Sequence, residues 1–233
     1  MNIMKHIPNT ITCLNIFSGC VACVMAFQGE YLLAALFIYL ASVFDFLDGM
    51  AARVLKAYSA IGKELDSLAD AISFGMAPGI ILFAWLQQPD VNTNTFLPYI
   101  AFLIPVFSAL RLAKFNIDTR QTSSFIGLPT PANAIFIASL ISLNNEPYLS
   151  GMLNVWVIVG LIFILSFLLL SELPMFALKF ENLTWKDNKV RYIFLSLSLV
   201  FLVVLQLAAI PLIILLFILM SLFLHLINKK THH

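Results

Sequence analysis

The chain has 233 residues, of which 61% are apolar and only 11% are charged, and its mean hydropathy is +0.96. A soluble domain is about 45–50% apolar and about 25% charged, so these values exclude a soluble enzyme, a disordered chain and a nucleic-acid-binding protein. Because the apolar residues form long runs, the composition predicts an all-α, polytopic membrane helical bundle.

Eight apolar segments are candidate spans, since a transmembrane helix needs about 20 mostly apolar residues. Their bounds are roughly 12–28, 31–54, 67–87, 96–114, 131–145, 152–171, 190–206 and 208–227. Pro105 lies inside the fourth segment, where its missing N–H predicts a kink. We expect one domain over 1–233, with core spans over 12–171 and a cytoplasmic connector and two additional spans over 172–233.

The charges of the connectors predict the topology. The thirteen basic residues fall in alternate connectors or at the chain ends: Lys5, Arg53, Lys56, Lys63, Arg111, Lys114, Arg120, Lys179, Lys186, Lys189, Arg191, Lys229 and Lys230. The opposite connectors carry Glu30, Asp90 and Glu146 and no basic residue. Under the positive-inside rule, this separation predicts an even number of spans with both termini in the cytoplasm.

Four aspartates lie on the second and third spans, where membrane proteins rarely carry charge. Asp45 and Asp48 share one helical face, and Asp66 and Asp70 share another by their i, i+4 spacing. Each aspartate at mid-helix depth costs about 2.5–3.5 kcal/mol on insertion scales, so four together approach about 10 kcal/mol. Arg53 alone cannot neutralise them. Two divalent cations can, and clustered carboxylate oxygens suit Mg²⁺ or Mn²⁺.

The segment from Asp45 to Asp70 reads D-x2-D-G-x2-A-R-x8-G-x3-D-x3-D. It resembles the signature of the CDP-alcohol phosphatidyltransferases, a family of helical membrane bundles with six core spans. The resemblance implies transfer of a phosphatidyl or similar group from a CDP-linked donor to an alcohol, with release of CMP, by a homodimer. It also implies that Asp45, Asp48, Asp66 and Asp70 hold two divalent metal ions, and that Asp70 is the general base.

The N-terminal segment Pro8-Asn9-x-x-Thr12-x-x-Asn15 is also similar to the opening segment of this family. Together, the two segments imply the residues that contact the CDP-lipid: Asn9, Thr12, Gly49, Ala52, Arg53, Ser59 and Gly62. In this arrangement Gly49 and Ala52 leave room beside the carboxylates, and Arg53 presents a planar guanidinium to phosphate oxygens. The acceptor alcohol loses its proton as its oxygen bonds to phosphorus, and Asp70 is placed to accept that proton.

Two further segments indicate the acceptor. The fourth span ends with Arg111 in S-A-L-R-L-A-K-F-N, and the next loop contains Gly127 in G-L-P-T-P-A. They resemble segments of the bacterial phosphatidylserine synthases, which implies CDP-diacylglycerol and L-serine as substrates. The residues expected at the serine are Ser108, Arg111 and Asn116. Arg111 would bind the serine carboxylate through two hydrogen bonds; the alternative is that Arg111 anchors the helix at the membrane surface.

Two other functions stay open on the sequence. A homologous transferase could use glycerol 3-phosphate or an inositol phosphate, strong anions that need a second cation such as Lys114 beside Arg111. A divalent-cation transporter would need polar residues on several spans, but the sixth to eighth spans have almost none. The subfamily resemblance favours a multi-pass protein of the bacterial inner membrane, surrounded by lipid, with its active site facing the cytoplasm.

Overall fold

The computed structural model describes residues 6–89, 91, 94–118, 125–143, 153–176 and 184–231, without the side chains of 186, 187 and 228–231. The α-helices of these residues are α1 Ile7–Phe27, α2 Tyr31–Val54, α3 Ala60–Asp70, α4 Ala77–Leu86, α5 Leu103–Ile117, α6 Thr130–Ser142, α7 Val155–Leu170, α8 Trp185–Leu205 and α9 Ala209–Thr231. A π-helical turn spans Ala71–Met76, and 3-10 turns span Leu97–Phe102 and Gln206–Ala208. A short antiparallel pair joins β1 Phe125–Ile126 to β2 Pro174–Met175.

The prediction of a helical membrane protein is confirmed. Within the described residues, five helical segments are long and apolar enough to cross a membrane: Ile7–Phe27, Tyr31–Val54, Ala60–Leu86, Leu97–Ile117 and Asn188–Ile227. Two apolar helices, Thr130–Ser142 and Val155–Leu170, are shorter.

Several of the charges on which the topology prediction depends lie outside the described residues: Lys5, Asp90, Arg120, Glu146 and Lys179. The end of the fifth predicted span and the first residue of the sixth also lie outside them.

The helix that carries Asp66 and Asp70 begins earlier than the hydropathy indicated. The expected start was residue 67, but α3 begins at Ala60 because the Ser59 hydroxyl caps it, accepting the Gly62 N–H at 3.0 Å. Lys63 and Glu64 lower the hydropathy of these first turns. Asp66 therefore lies inside a formed helix rather than at its first turn.

The continuous helix from α3 to α4 runs through the centre of the bundle. Its π turn follows Asp70 directly and contacts α1, α5 and α6. The helix α1 approaches this turn so closely that a Cβ on Gly19 would lie 2.8 Å from Ser73 Cα. The Ser73 hydroxyl also donates a hydrogen bond to the backbone carbonyl of Asn15 at 3.0 Å. The first helix thus holds the turn next to Asp70.

The disruption predicted at Pro105 takes the form of a change from 3-10 to α-helix between Phe102 and Leu103. Pro105 is the third residue of α5, where the hydrogen-bond pattern changes from 3-10 to α, so its missing N–H interrupts no established α-helical ladder. Its ring packs on α4, where a Cβ on Gly79 would lie 2.8 Å from Pro105 Cδ. This contact brings α5, with Arg111, against the central helix.

The helices α1 and α2 form a hairpin whose connector contains Gly29 at φ +80°. The faces that they bury consist largely of small residues, among them Ala22, Ala26, Ala34 and Ala35. Small residues let membrane helices approach closely. The hairpin brings the start of α1, with Thr12, beside Asp48 near the end of α2.

Candidate active site

Three of the four predicted metal ligands form one cluster. One carboxylate oxygen from each of Asp45, Asp48 and Asp66 lies within 4.8 Å of the other two. Asp48 is the most buried member, with 5% of its surface exposed. Asp70 adjoins this cluster because its side chain lies within hydrogen-bonding reach of Asp45. The sequence prediction that the two helix faces meet is therefore confirmed.

The donor set fits a divalent cation. Asp48 Oδ2 and Asp70 Oδ1 are both buried and have no hydrogen-bond partner. Leaving a buried acceptor unpaired costs about 1–3 kcal/mol, and more when the group is charged. Carboxylate oxygens are the ligands that Mg²⁺ and Mn²⁺ prefer. A divalent cation among Asp45, Asp48 and Asp66 would offset two of their three charges and give the free oxygen of Asp48 a partner.

Arg111 is buried beside Asp70. Only 6% of its surface is exposed, so its position in the structure disfavours the role of a surface anchor. Its guanidinium lies 5.7 Å from the ring centroid of Phe115 and interacts electrostatically with Asp70. The buried Nε has no hydrogen-bond partner. Arg111 is therefore a cation held next to Asp70 with a donor left for a ligand.

An open cleft of about 240 Å³ lies beside the aspartates, between the start of α1, the end of α2 and the start of α3. The cleft is lined by Pro8, Asn9, Thr12, Asp48, Gly49, Ala52, Ala57, Tyr58, Ser59, Gly62, Lys63 and Asp66. It includes six of the seven residues expected to contact the CDP-lipid.

Arg53 is the exception among those seven. Its side chain is exposed and does not line the cleft, although Nη1 comes within 3.9 Å of the position of a Cβ on Gly49. Lys63 and Tyr58, which the motif did not indicate, do line it. The i, i+3 spacing between Lys63 and Asp66 was the sequence signal that could have placed Lys63 on the same face.

The residues expected at the acceptor occupy different environments. Ser108 is fully buried without a partner for its hydroxyl, and it packs on Gly75 in the π turn. Asn116 donates a hydrogen bond from Nδ2 to the Ser67 hydroxyl at 2.9 Å, which ties α5 to α3. Ser108 and Arg111 thus adjoin the central helix in the interior, whereas the amide nitrogen of Asn116 is engaged by a side chain of α3.

The loop around Gly127 is fixed by the end of α7. Its N–H donates to the Leu173 carbonyl at 2.9 Å, and the Leu128 N–H donates to the Leu168 carbonyl at 2.9 Å. Gly127 has φ +76°, and a Cβ there would lie 2.7 Å from the Leu169 carbonyl oxygen. Only glycine fits this combination of conformation and close contact. The loop is therefore a rigid entry into α6.

Comparisons with known proteins agree with this geometry. The sequence model of the CDP-alcohol phosphatidyltransferase family matches residues 5–166. A relative from Helicobacter pylori is 30% identical over 205 residues, covering 86% of this chain and 84% of that protein. One from Mycobacterium leprae is 33% identical over 180 residues, covering 74% of this chain and 58% of that protein. One from Methanocaldococcus jannaschii is 35% identical over 158 residues, covering 68% and 70%.

Each of these three relatives is named CDP-diacylglycerol–serine O-phosphatidyltransferase. The family match covers all four aspartates, the cleft and Arg111. From the matched residues and the extent of these similarities, this chain belongs to the CDP-alcohol phosphatidyltransferase family.

Proposed function

We propose that this protein transfers the phosphatidyl group of CDP-diacylglycerol to the hydroxyl of L-serine, giving phosphatidylserine and CMP. The observation that carries the proposal is the set of relatives named for this reaction, one of which aligns with 86% of this chain. The cleft beside the clustered aspartates, with Arg111 next to Asp70, supports it.

The side chains divide the work of the reaction. Asp45, Asp48, Asp66 and Asp70 would hold Mg²⁺ or Mn²⁺, two ions in all, and bound metal supplies positive charge to the phosphate oxygens. Asp70 accepts the proton of the serine hydroxyl as the oxygen attacks phosphorus. Arg111 holds the serine carboxylate and keeps its hydroxyl near Asp70. The cleft residues Asn9, Thr12, Gly49, Ala52, Ser59 and Gly62 hold the nucleotide, and Arg53 lies at their edge.

The surroundings of Arg111 favour serine over a phosphorylated acceptor. Glycerol 3-phosphate or an inositol phosphate carries more negative charge and would need a second cation. Lys114, the nearest candidate by sequence, forms an ion pair with Glu172. One buried arginine matches the single carboxylate of serine.

A cation transporter has little support in the structure. Such a protein needs a polar path across the membrane, but the part of the central helix that follows the site, α4, buries nine apolar or small residues and no charged one. The aspartates therefore adjoin an apolar interior on one side and the open cleft on the other.

The topology that accompanies this function has eight spans with both termini in the cytoplasm. Its support is the segment Asn188–Ile227, whose 40 residues would reach about 60 Å as one helix, twice the hydrocarbon thickness of a bilayer. Gln206, with φ +52°, interrupts it and divides it into α8 and α9. The active site would then face the cytoplasm, at the inner membrane of a bacterium. Each chain would form one domain over residues 1–233, and two chains would assemble as a homodimer.

The proposal is tested by measuring CMP release from CDP-diacylglycerol by the purified protein in lipid nanodiscs with Mg²⁺ or Mn²⁺. L-Serine, glycerol 3-phosphate and an inositol phosphate are supplied separately, and we expect release with serine alone. The Asp70→Asn variant is the matched control and should release almost none. Release with another acceptor but not with serine would contradict the named product, and an active Asp70→Asn variant would contradict the general-base role.

A further inference from the structure

Lys63 is a cation at the cleft beside the aspartates, and the family signature gives it no role. It lines the cleft together with Ser59, Gly62 and Asp66, and it is exposed. Among the residues that the structure describes, it forms no ion pair, whereas Lys114 is paired with Glu172. A lysine beside carboxylates that would hold metal, yet paired with none of them, is available to bind an anion.

The position of Lys63 along α3 relates it to the reacting atoms. Asp66 lies three residues further along the helix and Asp70 seven, so the three share one face. At a rise of about 1.5 Å per residue, Lys63 and Asp70 are separated by roughly 10 Å along the axis. Lys63 lies towards the end of the bundle where Ser59 caps α3, and Asp70 lies deeper, next to Arg111.

In an in-line displacement, the attacking and the leaving oxygen lie on opposite sides of the phosphorus, and the separation of Asp70 from Lys63 along α3 matches this arrangement. The serine oxygen enters on the side of Asp70 and forms a bond to the lipid-side phosphorus. The bond from that phosphorus to the bridging oxygen breaks on the opposite side, and its electron pair leaves with CMP. The nucleotide phosphate therefore gains negative charge on the side away from Asp70. Lys63 lies in that direction along α3.

We propose that Lys63 binds the phosphate that departs with CMP and stabilises the charge that develops on it. The proposal rests on the proposed function, because it requires a CDP-linked donor in the cleft. Arg53, the cation that the motif indicates for phosphate, does not line the cleft, so Lys63 supplies this contact. An ammonium on a flexible stem reaches a phosphate as a point charge, as lysines do in other phosphate sites.

The experiment compares Lys63→Met, Lys63→Arg and Lys56→Met with the unchanged protein in nanodiscs containing Mn²⁺. Lys56 lies in the connector just before α3 and does not line the cleft, so Lys56→Met removes the same charge as a matched control. Titration calorimetry measures the affinities for CMP and for cytidine. Initial rates give kcat and the KM values for CDP-diacylglycerol and serine.

We expect Lys63→Met to weaken CMP binding roughly tenfold or more, the value of one hydrogen bond to a charged group. In the same variant, the affinity for cytidine and the KM for serine should stay unchanged, whereas kcat should fall because the charge on the leaving group is less stabilised. Lys63→Arg should restore much of the lost CMP affinity and kcat. The proposal is overturned by unchanged CMP affinity in Lys63→Met, by an equal loss for cytidine, or by an equal effect of Lys56→Met. Because CMP binding needs no acceptor, a protein that binds CMP through Lys63 but ignores serine would refute only the proposed acceptor.

Discussion

A single methyl group added at Gly19 should displace the turn next to the catalytic aspartate. In Gly19→Ala the new Cβ would lie 2.8 Å from Ser73 Cα and closer still to the Ser73 hydroxyl oxygen. Carbon atoms in contact normally lie about 3.5–4.0 Å apart, so α1 and the π turn must separate by roughly 1 Å. The hydrogen bond from Ser73 to the Asn15 carbonyl is then stretched or lost. Because Asp70 immediately precedes this turn, the displacement reaches the reacting groups.

The expected loss has a component in rate and a component in stability. A misplacement of about 1 Å at reacting groups costs on the order of 10²-fold in rate. Overpacking of a buried contact costs about 1–3 kcal/mol of unfolding free energy, and the lost hydrogen bond about 1 kcal/mol more. Ser73→Ala separates these effects, because it removes the hydrogen bond without adding a contact. It should lower stability by about 1 kcal/mol and change the rate little.

The assay is CMP release at saturating CDP-diacylglycerol and serine in nanodiscs, with unfolding by sodium dodecyl sulfate followed in parallel. Gly160→Ala is the matched control, since Gly160 lies in a helix and an added Cβ would have no atom within 4 Å beyond its own helix backbone and chain neighbours. It should retain full activity and unfold no more easily than the unchanged protein. If Gly19→Ala behaves like Gly160→Ala in both measurements, the close contact between α1 and the π turn does not position Asp70.

Two further predictions test the loop and the metal site. Gly127→Ala forces a left-handed backbone on alanine and brings its Cβ to 2.7 Å from the Leu169 carbonyl oxygen. The unfolding free energy should therefore fall by at least about 2 kcal/mol in the same detergent titration. Stability equal to that of the unchanged protein would argue against the rigid loop. Asp48→Asn should weaken Mn²⁺ binding at least about tenfold, measured by electron paramagnetic resonance without substrate, because a buried carboxylate of the cluster loses its charge. Glu64→Gln removes an exposed acid from the same helix as Asp66 and should bind Mn²⁺ normally; equal affinities in the two variants would exclude Asp48 as a ligand.

The parts of the site that depend on local helix geometry could be predicted from the sequence. Asp45 and Asp48 are three residues apart, and Asp66 and Asp70 are four apart, so each pair shares a helix face whatever surrounds it. The short connector then leaves little freedom in how the two helices meet. For this reason the carboxylate cluster was predictable.

Features that depend on contacts between distant segments could not be predicted in this way. The π turn after Asp70 accompanies the close approach of Gly19 to Ser73, which are 54 residues apart in the sequence. The engagement of Asn116 by Ser67 likewise depends on how α5 packs against α3. Arg53 was expected in the cleft from its motif, but its exposed side chain lies beside Gly49 without lining the cleft, which depends on a side-chain conformation that the motif does not specify. Hydropathy also missed the first turns of α3, because their residues are polar and the start of the helix depends on the capping hydrogen bond of Ser59.

The pairing of β1 with β2 bears on where the catalytic unit ends. The family match stops at residue 166, yet Gly127 donates its N–H to Leu173, and Phe125 pairs with Met175 beyond that boundary. The side chain of Met175 is almost fully buried, and β2 contacts α9. A chain shortened to the matched residues would lose the partners that hold the entry into α6. The segment after α7 therefore packs as part of the same structural unit, and we expect a minimal active fragment to extend at least through Met175.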